Sequence, residues 1–183
     1  MTAVNRCNRI ISVLLITLAV LAPLEPAQAA PAPVSHASAA AGAGPGRLAP
    51  AFTLQDAGGT SRQVGGPREK ALLLNFWASW CGPCQLEAPD LNRLAVKYKD
   101  VLDVYGVNVT SQDVKQNAER FVRKYMLSFP VLYDLKGQVF ARYNGQVFPT
   151  NVLVAKDGVI SEVILGVLPP EELERKIAAL TSR

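Results

Sequence analysis

Histidine is almost absent from this 183-residue chain: the single one is His36, so no triad or proton relay that needs imidazole can be built downstream of it. Cysteine is scarce too. Three thiols, Cys7, Cys81 and Cys84, are too few for a disulfide-stapled scaffold, and without histidine they cannot close a four-ligand zinc site. No metal is expected. Charge of one sign is lacking as well, because 19 Lys and Arg stand against 15 Asp and Glu, a net of +4 scattered along the chain. Without a basic stripe, nucleic acid is excluded as a partner. No internal repeat is visible. What remains is a chain 49% hydrophobic and 19% charged, enough for one globular domain with material left over.

The surplus lies at the front. Arg6 and Arg9 precede an uncharged run from Ile10 to Ala22, apolar but for Ser12 and Thr17, and Ala27-Gln28-Ala29 has the small-x-small form cut by signal peptidase. The run falls short of the roughly 18 to 20 residues that a spanning helix needs. Residues 1–29 are therefore expected to be an export signal, with Ala30 the first mature residue, or else an uncleaved anchor. Residues 30–47 are nearly all Ala, Pro, Gly and Ser, a composition that forms a loose linker and suits a membrane tether. Cys7 lies ahead of the apolar run and is not placed as a lipid acceptor. The expected location is extracytoplasmic: the bacterial periplasm or the outer face of the cytoplasmic membrane.

An α/β domain is expected over 48–183. Phe52–Leu54 and Arg62–Val64 flank the turn-rich Asp56-Ala57-Gly58-Gly59 and read as a hairpin. Ala71–Trp77, apolar at every position but Asn75 and of strand length, is the mark of a central strand buried on both faces. From Pro83 to about Tyr98, Leu86, Leu91, Leu94 and Ala95 predict a helix kinked at Pro89. Val101–Val109 predicts a strand, and Asp113–Tyr125 a scaffold helix with Val114, Ala118, Phe121, Val122 and Tyr125 inward. A short strand at Pro130–Tyr133 comes next. Asn151–Ala155 and Val159–Leu165 form a hairpin across Lys156-Asp157-Gly158. Pro169-Pro170-Glu171-Glu172 opens a last helix, with proline and carboxylates suited to a first turn.

The chemistry is expected at Trp80-Cys81-Gly82-Pro83-Cys84, a Cys-x-x-Cys at the junction of a buried strand and its following helix. At a helix N-terminus the first thiol meets unpaired N–H groups and the positive dipole end, both of which stabilise thiolate. A fall in pKa from about 8.5 to about 7 raises the thiolate fraction at neutral pH from roughly 3% to roughly half. Cys81 is the candidate nucleophile. Cys84, one turn further in, is the shielded thiol that attacks a mixed disulfide formed at Cys81. A permanent structural disulfide here would close only a few residues and stabilise little. Glu87, three residues after Cys84, shares its helical face and would raise its pKa and take its proton.

Asn75-Phe76-Trp77-Ala78-Ser79-Trp80-Cys81-Gly82-Pro83-Cys84 resembles the active-site segment of the thioredoxin superfamily. Ala49-Pro50-Ala51-Phe52-Thr53-Leu54, Glu87-x-Pro89, Phe129–Asp134 and Phe148-Pro149-Thr150 narrow the likeness to the TlpA/ResA-type exported thiol-disulfide oxidoreductases. The resemblance covers nearly all of 48–183. It implies a thioredoxin-like fold: a mixed central sheet flanked by helices, with an N-terminal hairpin and a central insertion. It also implies that Pro149 is cis beside the Cys pair, that Phe148 offers its backbone to an extended substrate, and that Trp80 borders the substrate. The matching Glu in ResA-type proteins supports Glu87 as a site residue. Asn75 stands where thioredoxin has a buried Asp. Ala78 stands where peroxiredoxins need Thr or Ser, which speaks against peroxide chemistry, and the absence of a downstream His speaks against copper carriage.

The activity expected is reduction of protein disulfides by a Cys81/Cys84 dithiol that needs no cofactor. Gly82-Pro83 is thioredoxin's own dipeptide, and thioredoxin lies about 150 mV below the oxidant DsbA. A reductant in an oxidising compartment implies a membrane thiol-electron transporter as donor. The resemblance suggests apocytochrome c cysteines as one acceptor, and the chain is expected to be a monomer. A disulfide-forming oxidase and a redox-sensing binding module are the alternatives.

Overall fold

Seven consecutive buried residues make β3 (Ala71–Trp77) the spine of the molecule. They are buried because the strand is covered on both faces. Leu73 and Trp77 point into one core, with Cys81, Cys84, Leu91, Leu94, Phe121, Leu173 and Ile177. Leu72, Leu74 and Phe76 point into the other, with Phe52, Val64, Leu132, Phe140 and Tyr143. A strand alternates its side chains, so a run buried at every position, apolar but for Asn75, needs cover on both faces.

The computed structural model describes residues 42–182. The export signal, most of the linker, Cys7 and His36 lie outside the described residues. Two small strands, β1 (Phe52–Gln55) and β2 (Ser61–Val64), pair as an antiparallel hairpin. After β3 come α1 (Gly82–Lys97), β4 (Leu102–Asn108), a single 3-10 turn at Thr110–Gln112, α2 (Lys115–Lys124) and β5 (Val131–Tyr133). Then follow α3 (Gln138–Arg142), β6 (Thr150–Val154), β7 (Ile160–Leu165) and α4 (Pro170–Thr181). The main sheet has the order β5-β4-β3-β6-β7. β3, β4 and β5 run parallel, while β6 and β7 are antiparallel additions. The mixed sheet expected from the sequence is present.

Several local expectations are corrected. Leu86, expected inward on α1, is 75% exposed, and the neighbouring Glu87 is buried in its place. The buried residues are Cys84, Glu87, Ala88, Leu91 and Leu94, a stripe whose centre lies about 135° around the helix from Leu86 at 3.6 residues per turn. Pro89, where the sequence predicts a kink, lies inside the helix, which continues beyond it to Lys97. On α2, Val114 is outside and exposed, and only Ala118 and Phe121 are fully buried. The five-residue α3 has no counterpart among the elements expected from the sequence.

Chain upstream of Leu48 is already tied to the domain. Gly46 N–H donates to the Ile160 carbonyl at 2.8 Å, and Ile160 N–H to the Arg47 carbonyl at 2.7 Å. The β6–β7 turn depends on Gly158, whose φ of +85° disfavours any side chain. A Cβ there would also lie 2.4 Å from the Gly66 carbonyl oxygen. Among the described residues, no helix is long and apolar enough to cross a membrane.

Candidate active site

Cys81 and Cys84 are joined by a disulfide with their Cα atoms 5.3 Å apart. The pair sits where β3 gives way to α1. Cys81 is the N-cap residue of α1, with extended backbone, and its Sγ accepts from the Cys84 N–H at 3.1 Å. A side chain in this position satisfies one of the orphan donors of the first turn, and the same N–H would meet a thiolate after reduction. In the disulfide both cysteines are buried, Cys81 at 3% exposure and Cys84 at 4%, so burial does not rank them. Their surroundings do. Cys81 is bracketed by exposed Trp80, Gly82 and Pro83, whereas Cys84 faces the core beside Ala88 and Leu91.

Glu87 is 3% exposed. Its carboxylate accepts from Asn75 Nδ2 at 3.0 Å on one oxygen and from Asn151 Nδ2 at 2.6 Å on the other. Asn75 Nδ2 also donates to Asn151 Oδ1 at 2.8 Å. The two amides meet because Asn75 on β3 and Asn151 on β6 are paired in the sheet register and share the face that looks at α1. Burial disfavours the charged form and pushes the Glu87 pKa up to about 7, with the two amide bonds opposing and Asp90 reinforcing the shift. The carboxyl is thus poised at neutral pH one helical turn beyond Cys84. A solvated helix glutamate is excluded. Asn151 escaped the sequence reading, although a lone amide ahead of Val152-Leu153-Val154 in a buried strand was a signal of a polar partner within.

Phe148 and Pro149 are joined by a cis peptide bond. The Phe148 ring lies 5.7 Å from the Trp80 ring in an edge-on arrangement and stacks on Phe140 at 4.9 Å. Trp80 and Phe148, distant in sequence, are therefore neighbours. α3 supports them by presenting Phe140 from beneath. Trp80 is held at its other end, where its Nε1–H donates to the Gln112 carbonyl at 2.8 Å.

Asp113 also escaped the sequence reading. One of its oxygens accepts from Ser79 N–H at 2.6 Å and Asn108 Nδ2 at 2.8 Å, the other from Ser79 Oγ at 2.6 Å and Val114 N–H at 2.7 Å. This carboxylate fastens the turn before the Cys pair to the chain leaving β4. At Ala78, fully buried, the side chain carries no hydroxyl. Among the described residues, no cluster of His, Cys, Asp and Glu is arranged to hold a metal ion.

The sequence marks α2 as a scaffold helix. It walls an open groove of about 680 Å³ that begins at Ser79 and Trp80 and is crossed by a bond from Tyr125 Oη to Gln85 Oε1 at 3.2 Å.

The profile of the AhpC/TSA family matches residues 45–163. The thioredoxin-like protein YneN of Bacillus subtilis is 38% identical over 133 residues, 72% of this chain and 78% of that protein. The thiol-disulfide oxidoreductase ResA of Geobacillus kaustophilus is 35% identical over 136 residues, 74% of this chain and 77% of the relative. Among solved structures, a secreted disulfide oxidoreductase of Mycobacterium tuberculosis, homologous to DsbE of E. coli, superposes with a TM-score of 0.63. It is 28% identical, and the match covers 70% of this chain and 96% of that one. The fold is thioredoxin-like.

Proposed function

This chain belongs to the AhpC/TSA family as a ResA-like thiol-disulfide oxidoreductase, and on that premise we propose that it reduces protein disulfides outside the cytoplasmic membrane, with Cys81 as nucleophile and Cys84 as resolving thiol. The observation that carries the roles is the capping bond from Cys84 N–H to Cys81 Sγ, which points backbone positive charge at one sulfur and not the other. In the dithiol form, Cys81 thiolate attacks a substrate disulfide, one substrate sulfur leaves as thiolate, and a mixed disulfide forms. Cys84 then gives up its proton to Glu87 and attacks the Cys81 sulfur. The second substrate sulfur leaves and the Cys81–Cys84 bond closes. Two electrons have passed to the substrate, and the two sulfurs carry them without a bound cofactor.

Substrate docking falls to Trp80, Phe148 and Pro149. The exposed Trp80 ring and the half-buried Phe148 ring form the rim, and the backbone before the cis Pro149 is the edge to which an extended chain adds. The Arg6–Ala29 segment and the Ala/Pro/Gly-rich linker support export with residues 48–183 as the working domain. The Mycobacterium tuberculosis relative is a secreted protein, which agrees with that. A membrane thiol-electron transporter re-reduces the disulfide, and apocytochrome c cysteines are one acceptor consistent with the ResA likeness. The protein works as a monomer.

The test is turnover of a protein disulfide with a small dithiol as electron source. Cys81→Ser abolishes it, and Cys84→Ser accumulates the mixed disulfide. Full activity in Cys81→Ser would remove the nucleophile assignment. A reduction potential above about −180 mV, the value of protein disulfide isomerase, would replace the reductant by an oxidase.

A further inference from the structure

The groove beside Trp80 has a charge pattern that disulfide exchange itself does not require. Its floor is aromatic, formed by Phe121 and Tyr125, with centroids 4.5 Å apart. Its rim is cationic. Arg120, Arg123 and Lys124 line it, all three exposed, and no carboxylate is among the lining residues. Among the described residues, none of the three cations is ion-paired. Arg120 leans on the Asn117 amide, and Lys124 lies 5.0 Å over the Tyr125 ring. The nearby acids are engaged elsewhere. Glu119 faces Lys115 at 3.9 Å, and Asp113 accepts four hydrogen bonds from Ser79, Asn108 and Val114.

Three unpaired cations over an aromatic floor, starting one residue from the reacting sulfur, favour one kind of occupant. We propose that the Arg120/Arg123/Lys124 groove receives an acidic segment of the substrate protein, so that this oxidoreductase selects disulfides flanked by Asp or Glu. The proposal rests on the reading that Cys81 and Cys84 exchange with protein disulfides, and it adds the substrate class. The groove, at about 680 Å³, is the size of a site for several side chains. Carboxylates would pair with the rim while the carbon stems beside them cover Phe121 and Tyr125. The cations act in binding and take no part in electron transfer, so their effect belongs in KM.

The experiment uses the full-length protein and three peptides bearing the same disulfide, flanked by Asp/Glu, by Ser or by Lys. Rim ion pairs of ordinary strength predict a kcat/KM about tenfold higher for the acidic peptide than for the Ser peptide at low salt. The difference is expected in KM, with the Lys peptide the poorest, and it should shrink when salt is raised to about 0.15 M, where the screening length is about 8 Å. In the triple variant Arg120→Gln, Arg123→Gln, Lys124→Gln the ratio of acidic to Ser peptide should fall toward one. Equal kcat/KM for all three peptides, or an acidic preference that persists in the triple variant, overturns the groove assignment while leaving the oxidoreductase in place. Failure to reduce any of the peptides would take down both.

Discussion

Glu87 is a carboxyl whose surroundings pull in two directions. Removal from water favours the neutral acid, while Asn75 and Asn151 each donate to the charged form. The balance at about 7 lets the group accept a proton and release it again at neutral pH, which is what a base for Cys84 must do. Glu87→Gln keeps the size and helix propensity but cannot exchange a proton. Resolution of the mixed disulfide in that variant should slow by about a hundredfold at pH 7, the usual worth of a positioned base. Stopped-flow thiol exchange read across the neutral range checks this, and an unchanged rate would mean that water or another group takes the proton. The Cys84 pKa should fall in the same variant, because a neighbouring negative charge has been removed.

Among the elements, the turn from Ala78 to Cys81 is anchored from outside. Asp113, beyond the end of β4, binds it through both oxygens. Asp113→Ala would leave the Ser79 N–H and the Asn108 amide without that acceptor and should cost about 2 kcal/mol, measured by urea unfolding. A loss under a few tenths would show that water replaces the carboxylate freely. β3 and the Cys pair at its end were legible in sequence because a long apolar run followed by Cys-x-x-Cys is local information. Glu87 was legible as a candidate from spacing, but its burial was not, since the two amides that allow it come from strands 76 residues apart. The inward assignment of Leu86 failed for the same reason: composition favours burying leucine, and only the distant amides reverse the choice. α3 was invisible because five residues are too few to show a helical period. Its first N–H groups are satisfied by Asp134, whose side chain accepts from Val139 at 3.0 Å and Phe140 at 2.9 Å.

At the scale of the whole molecule, the raised pKa of Glu87 is a statement about stability. The unfolded carboxyl titrates near 4.5 and the folded one near 7, so between these values the native state binds more protons than the unfolded one. Stability from this group is therefore highest below pH 4.5, falls as pH rises through that window, and is level above it. The total is about 3 kcal/mol, because each tenfold gain in proton affinity on folding is worth about 1.36 kcal/mol. Urea midpoints of the oxidised protein from about pH 4 to about pH 8 should show the parent losing ground to Glu87→Gln as pH rises. Parallel curves would mean that folding leaves the Glu87 pKa at its unfolded value. The same fold separates its two tryptophans, three residues apart, into different solvents: Trp77 is 2% exposed and Trp80 62%. Light absorbed by the first is re-emitted toward the blue and by the second toward the red, and a disulfide drains the excited state of an indole held beside it. Trp80 adjoins Cys81 in the chain and is moored to the Gln112 carbonyl, so the red edge of the emission should brighten when a dithiol opens the disulfide, and equal brightness before and after would show that the indole does not feel the sulfurs.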